Sequence, residues 1–550
     1  MPDRRRLEKL SQLARAKEKS HPGFLVLPQH ALHVHADSPI GYARKYFGSR
    51  VRAPFMSPLA ADYDIVVEAP ARVEVSARPS YDELQSAIAD TLLHYHLYLS
   101  NYLTHPRYGP ADQIGFCRGD TLRPLNIHEV SPGVYEFTIS GVLVGRRDML
   151  ARLKGPPLDH HAPAPPTKLK PVPKGWQRIF FTMPTRPDSP QVGDGEWYDF
   201  LPHIWKKDHP NIPLVDPAIA VRVRPRTERD LITPDYEALY RRGRVNVAFL
   251  FGYDFEGGHN TTKDAKAAWE VLVAPASRRF SVADTGPYGY HGPGFGFSDP
   301  TEGRFSHLSL KGDMVFKRGP GLGSGPMRVR YHLRKQPLAV GGRDAPAGTV
   351  FLEGKAVKAG TTVPVGKVVE RDISVEVRLL NFDKSSARLT SQQLIDQFVA
   401  VFKDNEIVIY DGHANYGGGF FVGQHPIDIL WAVDIGSYVD GFSSRYQIVQ
   451  IGACHSAGYF ADLFYNELRP RKTPANMDII AAVNETAFDD AVHQSMGLLR
   501  GLLQHEPAQD GEPPSYERIL NEIGRRAEFQ AYIGVFGKSR GTEAVTTISS

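Results

Sequence analysis

Two short apolar runs, each ending in a reactive side chain, constrain this chain more than any other feature: Glu406-Ile-Val-Ile-Tyr-Asp-Gly-His413 and Tyr446-Gln-Ile-Val-Gln-Ile-Gly-Ala-Cys454-His-Ser-Ala-Gly458. Runs of Ile and Val closed by glycine read as strands covered on both faces. That is the pattern of a parallel sheet in an α/β fold, and such sheets carry their chemistry beyond the strand carboxyl ends. The pattern predicts that His413 and Cys454 meet at one sheet edge.

The surrounding sequence keeps the same rhythm. Arg244-Val-Asn-Val-Ala-Phe-Leu-Phe251 reads as a first buried strand and Thr262 to Leu272 as its helix. After an interruption come a strand at Ile373–Leu380, a helix at Ser391–Lys403, the two reactive strands, a helix at Tyr459–Leu468, a strand at Met477–Val483 and a helix at Ala487–Leu503. Thr390 or Ser391 is placed to cap the first of these helices, in which Leu394, Phe398 and Val401 repeat at helical spacing. The expected fold class is α/β, a mostly parallel, doubly wound sheet flanked by helices. The interruption, at about 281–370, is rich in Gly, Pro and short alternating runs and reads as a β-rich insertion.

The preceding residues divide differently. Residues 1 to about 22 pattern as a charged amphipathic helix. From there to 154, strand-like runs (Asp64-Ile-Val-Val-Glu68, Ala71-Arg-Val-Glu-Val75, Val134-Tyr-Glu-Phe-Thr-Ile139) and a helical stretch from Ser80 to Tyr102 give an α+β accessory domain over 1–154. Residues 155–174 are proline-rich and read as an extended linker, with His160 and His161 as solvated chain. Residues 175–240 are a connecting segment, and 241–550 form the main domain with its insertion.

With 65 basic and 61 acidic side chains the formal net charge of +4 is small and mixed, which argues against a nucleic-acid partner. No window approaches the roughly 20 apolar residues of a membrane span, so no membrane partner is expected. Cys117 and Cys454 are the two cysteines. This count excludes a multi-bridge disulfide framework and points to a reducing, cytoplasmic setting in which a free thiol persists.

A cysteine nucleophile acts as its thiolate, so it needs a nearby base, an exposed position and donors for the oxyanion that forms on the substrate carbonyl. His413 is the base and the backbone N–H groups of Ala414 and Cys454 are the oxyanion donors. Gly412 and Gly452 let a substrate backbone approach. Tyr410-Asp-Gly-His413, followed by a glycine-rich loop, and Gly452-Ala-Cys454-His-Ser-Ala-Gly458 resemble the His and Cys motifs of caspase-like cysteine peptidases, most closely the metacaspase branch. The resemblance spans about 244–505. It implies a caspase-haemoglobinase fold, a Cys/His dyad without metal or cofactor, and hydrolysis of a protein or peptide substrate through a thioester acyl-enzyme. It also implies a substrate pocket bordered by the strand Ile479–Val483 and by the loop Asn484-Glu-Thr-Ala487 after it, with Asn484 and Glu485 as substrate-binding residues.

The family's acidic residue two before the Cys is Gly452 here, which removes the usual basis for Arg or Lys selectivity; Asp411, Asp254 and Glu485 are loop carboxylates that could restore it. His455 and Ser456 are expected to cap the following helix. Two other readings compete. One is an α/β-hydrolase with Cys454 in its elbow and His493 or His505 as base. The other is an inactive interaction scaffold, with the N-terminal domain binding a protein partner. Lys317 and Arg318, in a basic glycine-rich stretch, are a candidate self-processing site, although a solvated turn is the plainer reading.

Overall fold

The computed structural model describes residues 55–104, 115–152, 171–185, 202, 206–207, 210–225, 232–253, 261–281, 289–299, 305, 312–319, 325–341, 348–385, 388–415, 419–423, 429–454, 456–482, 486, 491–505, 511–525 and 533–538. The chain forms two units that divide near residue 226: the first contains 59–226 and the second 227–550 apart from 416–418, together with 53–58. The expected helix at 1–22, the linker up to residue 170 and His160 and His161 lie outside the described residues.

The first unit is an antiparallel sheet with a long helix. Its strands are β1 (Ala60–Val67), β2 (Ala71–Glu74), β3 (Gly115–Ser131), β4 (Val134–Arg146), β5 (Gln177–Phe180) and β6 (Ala218–Val223), with α1 (Tyr81–Thr104) between β2 and β3. They run in the order β2-β4-β1-β6-β5, and β3 pairs with β4. Alternate residues of β1 (Tyr63, Ile65, Val67) pack with Ile88, Leu92 and Leu99 of α1, the pattern of a sheet with one covered face. Residues 175–240 are therefore not a mere connection, because β5 and β6 complete this sheet through pairing of β6 with β1.

In the second unit the apolar runs become central strands. These are β7 (Arg244–Phe251), β8 (Asp313–Arg318), β9 (Met327–His332), β10 (Val350–Leu352), β11 (Val368–Asn381), β12 (Ile407–Asp411), β13 (Gln447–Gly452), β14 (Met477–Ala482) and β15 (Ile533–Phe536). The helices are α2 (Thr261–Val273), α3 (Ser391–Asp404), α4 (Ala461–Glu467), α5 (Ala491–Leu502) and α6 (Tyr516–Arg525). Strands β11-β7-β12-β13-β14 are mutually parallel. Chain order reverses direction at β7, so the crevice beyond its carboxyl end is a topological switch point.

Both sheet edges are antiparallel. Strand β15 pairs with β14 on one side, while β8, β9 and β10 all pair with the long β11 on the other. The sheet is thus mixed, and much of the expected β-rich insertion extends it. Lys317 and Arg318 close β8, paired with Glu376 and Val375 of β11, so these two residues stand in a strand and not in the solvated turn of the plainer reading.

Apolar residues from α2, α5 and α6 cover one face, packing on Val247, Phe249, Ile407, Ile409 and Ile448. The other face carries an aromatic cluster in which Phe398 of α3 meets Tyr410 and Phe420, and Phe402 meets Phe464 of α4. Of the two expected caps, Thr390 is the one used, and it forms a capping box with Gln393. No helix among the described residues is long and apolar enough to cross a membrane.

At the amino ends of the central strands a buried carboxylate clamps three of them. Glu406 accepts hydrogen bonds from the backbone N–H of Asn246 (2.9 Å), from Arg242 (3.3 Å) and from Arg445 (3.0 Å). Its own carbonyl accepts from Ile448 N at 2.8 Å, tying β13 to β12. Glu406→Gln is expected to lower unfolding stability in urea by about 1–3 kcal/mol, since the two guanidinium groups lose a charged acceptor. An unchanged urea midpoint would contradict the clamp.

Candidate active site

Parallel pairing sets Phe251 opposite Asp411 and Asp411 opposite Gly452. Backbone bonds continue the pairing past the strand ends: Gly252 N donates to Asp411 O at 2.8 Å and Gly412 N to Gly452 O at 3.2 Å. His413 and Cys454 each follow two residues beyond this aligned pair, on strands that lie about 4.8 Å apart. Both are partly exposed, and Cys454 carries a reduced thiol outside any disulfide.

Several contacts fix the turn that carries His413. Tyr410, fully buried, folds back so that its hydroxyl donates to the His413 carbonyl at 3.0 Å. Burial raises its pKa well above the usual phenol value, so the hydroxyl remains a donor. The ring leaves no space beside it: a Cβ on Gly412 would lie 2.7 Å from the Tyr410 hydroxyl, and one on Gly252 2.6 Å. Gly412 is thus required by packing as well as by any approaching substrate. Ala414 then opens a short strand, Ala414–Asn415, that pairs with Gly419–Phe421.

The Cys454 turn is held by Ser456, which is fully buried. Its hydroxyl donates to Ile451 O at 2.8 Å and accepts from Ala482 N at 2.9 Å. This bridge between β13 and β14 differs from the expected cap: the Ser456 side chain bonds the strands, and α4 begins at Ala461, after a single turn at Ser456–Tyr459. Beside it, Cys454 Sγ lies 3.7 Å from the Thr486 carbonyl and 3.9 Å from its hydroxyl.

A pocket opens at these strand ends, lined by Asp411, Gly412 and Gly452, by Thr486, and by Gln494 and Ser495 of α5. Three of the five residues expected at a substrate site therefore share one cavity, while Asn484, Glu485, Asp254 and His455 lie outside the described residues. Asp411 is not a loop carboxylate. It ends β12 on the face of Ile407 and Ile409 and is 4% exposed. Burial first, and then the neighbouring charge of Asp264, push the pKa of its carboxyl well above the usual range.

Thr486 belongs to the loop expected to border the pocket; the lining residues that sequence reasoning missed are Ala491, Gln494 and Ser495, together with Asp264, whose charge acts on Asp411. A polar triplet, His493-Gln494-Ser495, inside an otherwise apolar helix was the available signal. His493 is buried and not on the surface; one ring nitrogen contacts the carbonyl of Ile523 at 3.1 Å. His505 stacks on Phe295 and contacts the carbonyl of Gly294 at 2.6 Å. Both candidate bases of the hydrolase reading thus have backbone partners of their own.

Comparison with family models, with curated proteins and with solved structures returns no match. The site therefore has to be argued from its own geometry.

Two outcomes follow from these contacts. Ser456→Ala is expected to cost about 1–3 kcal/mol in urea unfolding, because it strands a buried Ala482 N–H and the Ile451 carbonyl; a loss below about 0.5 kcal/mol would contradict the bridge. Asp411 has a raised folded-state value, so its stabilising proton is fully present below about pH 4 and is lost as pH climbs toward that value, by at most about 1.4 kcal/mol per pH unit. Asp411→Asn should therefore gain stability relative to wild type between pH 4 and pH 8. A difference between the two proteins that is constant over this window would rule out a buried, protonated Asp411.

Proposed function

We propose that this chain is a caspase-like cysteine endopeptidase in which Cys454 is the nucleophile and His413 the general base. The observation that carries this reading is the β12–β13 register, which sets both residues the same two positions beyond paired strand ends, partly exposed and next to a pocket. An α/β sheet with these residues beyond the carboxyl ends of its parallel strands supports it further.

In this reading His413 takes the thiol proton, the Cys454 sulfur attacks the scissile carbonyl, and the backbone N–H groups of Cys454 and Ala414 receive the oxyanion. The proton passes to the leaving amine as the thioester forms. Water, deprotonated by His413, then hydrolyses the acyl-enzyme and restores the thiol. Tyr410 and Ser456 position the two turns without touching substrate. The substrate would be an extended peptide laid along the strand ends.

A peptide acyloxymethyl ketone should label wild-type protein at Cys454 and leave Cys454→Ala unlabelled. Cleavage of a broad peptide library should drop by at least about a hundredfold in His413→Ala. A folded wild-type protein that takes no label and leaves the library intact is an interaction scaffold, and small-ester turnover that survives Cys454→Ala would point to the hydrolase reading.

A further inference from the structure

Two residues that line the pocket beside Cys454 each bury a polar atom with no hydrogen-bond partner among the described residues: Oδ2 of Asp411 and Nε2 of Gln494. The two residues are 4% and 3% exposed. Desolvated polar groups are ordinarily bonded, so a pocket that leaves two of them open is matched to a ligand that supplies the missing partners. Thr486 shares the pocket and touches the sulfur, so such a ligand lies against the reactive atom.

The shape limits what enters. A Cβ built on Gly452 would lie 3.1 Å from the Tyr410 carbonyl and 3.9 Å from Asp411 Oδ1. The missing side chain therefore leaves space directly in front of the Asp411 carboxyl. The cavity encloses about 270 Å³ including its open mouth, and its sheltered part has room for about one water molecule. The sheltered part therefore takes only the small polar tip of a side chain, the remainder of which lies in the open mouth.

Building on the peptidase reading, we propose that this pocket receives an uncharged carboxamide side chain, asparagine in the first place, from the substrate residue on the acyl side of the cut, with Gln494 and Asp411 as its specificity-determining residues. The amide oxygen accepts from Gln494 Nε2 and the amide N–H donates to Asp411, so one small group satisfies both orphan atoms. Burial and Asp264 both favour the uncharged form of the Asp411 carboxyl, which weakens it as a counter-ion for a cationic side chain. An aspartate would add a third carboxyl to the Asp411 and Asp264 pair. Alanine leaves both atoms unpaired, the kind of mismatch that rejects analogues strongly.

Calorimetric titration of Cys454→Ala protein with acetylated tripeptide amides ending in Asn, Ala, Lys or Asp tests the pocket without requiring turnover. The Asn peptide should bind at least tenfold more tightly than the other three. In Cys454→Ala/Gln494→Leu that advantage should fall below threefold, with Gln494→Met as a second variant should the leucine protein not fold. Lys or Asp peptides that bind as tightly as Asn, or an Asn advantage that survives both folded Gln494 variants, overturn the assignment. Hydrolysis of matching fluorogenic peptides by wild type separates the two claims. Selective binding without hydrolysis keeps the pocket and removes the peptidase reading; hydrolysis indifferent to Asn does the reverse.

Discussion

The register between β12 and β13 governs the carboxyl edge of this sheet. Side chains alternate along a strand, so a slip of one residue would turn Asp411 away from α5, put Tyr410 in its place and set His413 and Cys454 out of step. The register is held at both ends. Glu406 ties β7, β12 and β13 at their starts, and Gly412 N donating to Gly452 O carries the β12–β13 pairing past their finish, where Ser456 ties β13 on to β14. These contacts are polar and directional, so they specify alignment where the apolar strand interiors specify only burial.

The two faces of the sheet do different work at the site. On one, Tyr410 joins Phe398 and Phe420 in the aromatic cluster and reaches back to the His413 carbonyl. On the other, Asp411 replaces the apolar residue that the Ile407 and Ile409 alternation calls for, opposite Gln494 of α5. A buried carboxyl at that position is costly unless it is neutral or paired. Its persistence beside a pocket is the sort of local conflict expected where function, not stability, sets the residue.

Much of the second unit was legible in the sequence because its signals are local. Continuous Ile and Val runs fixed β7, β12 and β13, and Leu394, Phe398 and Val401 with Thr390 fixed α3 and its cap. The partners of β8, β9 and β10 were not legible, since pairing to β11 is antiparallel and nonlocal and no turn chemistry announces it. The assignment of β5 and β6 to the first unit failed for the same reason. At the site, the alternation of Ile407, Ile409 and Asp411 already implied a buried carboxyl, whereas Gln494 became visible only once α5 was seen to meet the strand ends.

The account rests on cooperation between His413 and the Cys454 sulfur, and the rate of Cys454 alkylation by iodoacetamide as a function of pH measures it most directly. Wild type should react at neutral pH at least tenfold faster than His413→Ala, with the two rates converging at alkaline pH as the thiol ionises unaided. Superimposable profiles across the whole range would show that the imidazole does not act on the sulfur, and the proposed dyad would be wrong.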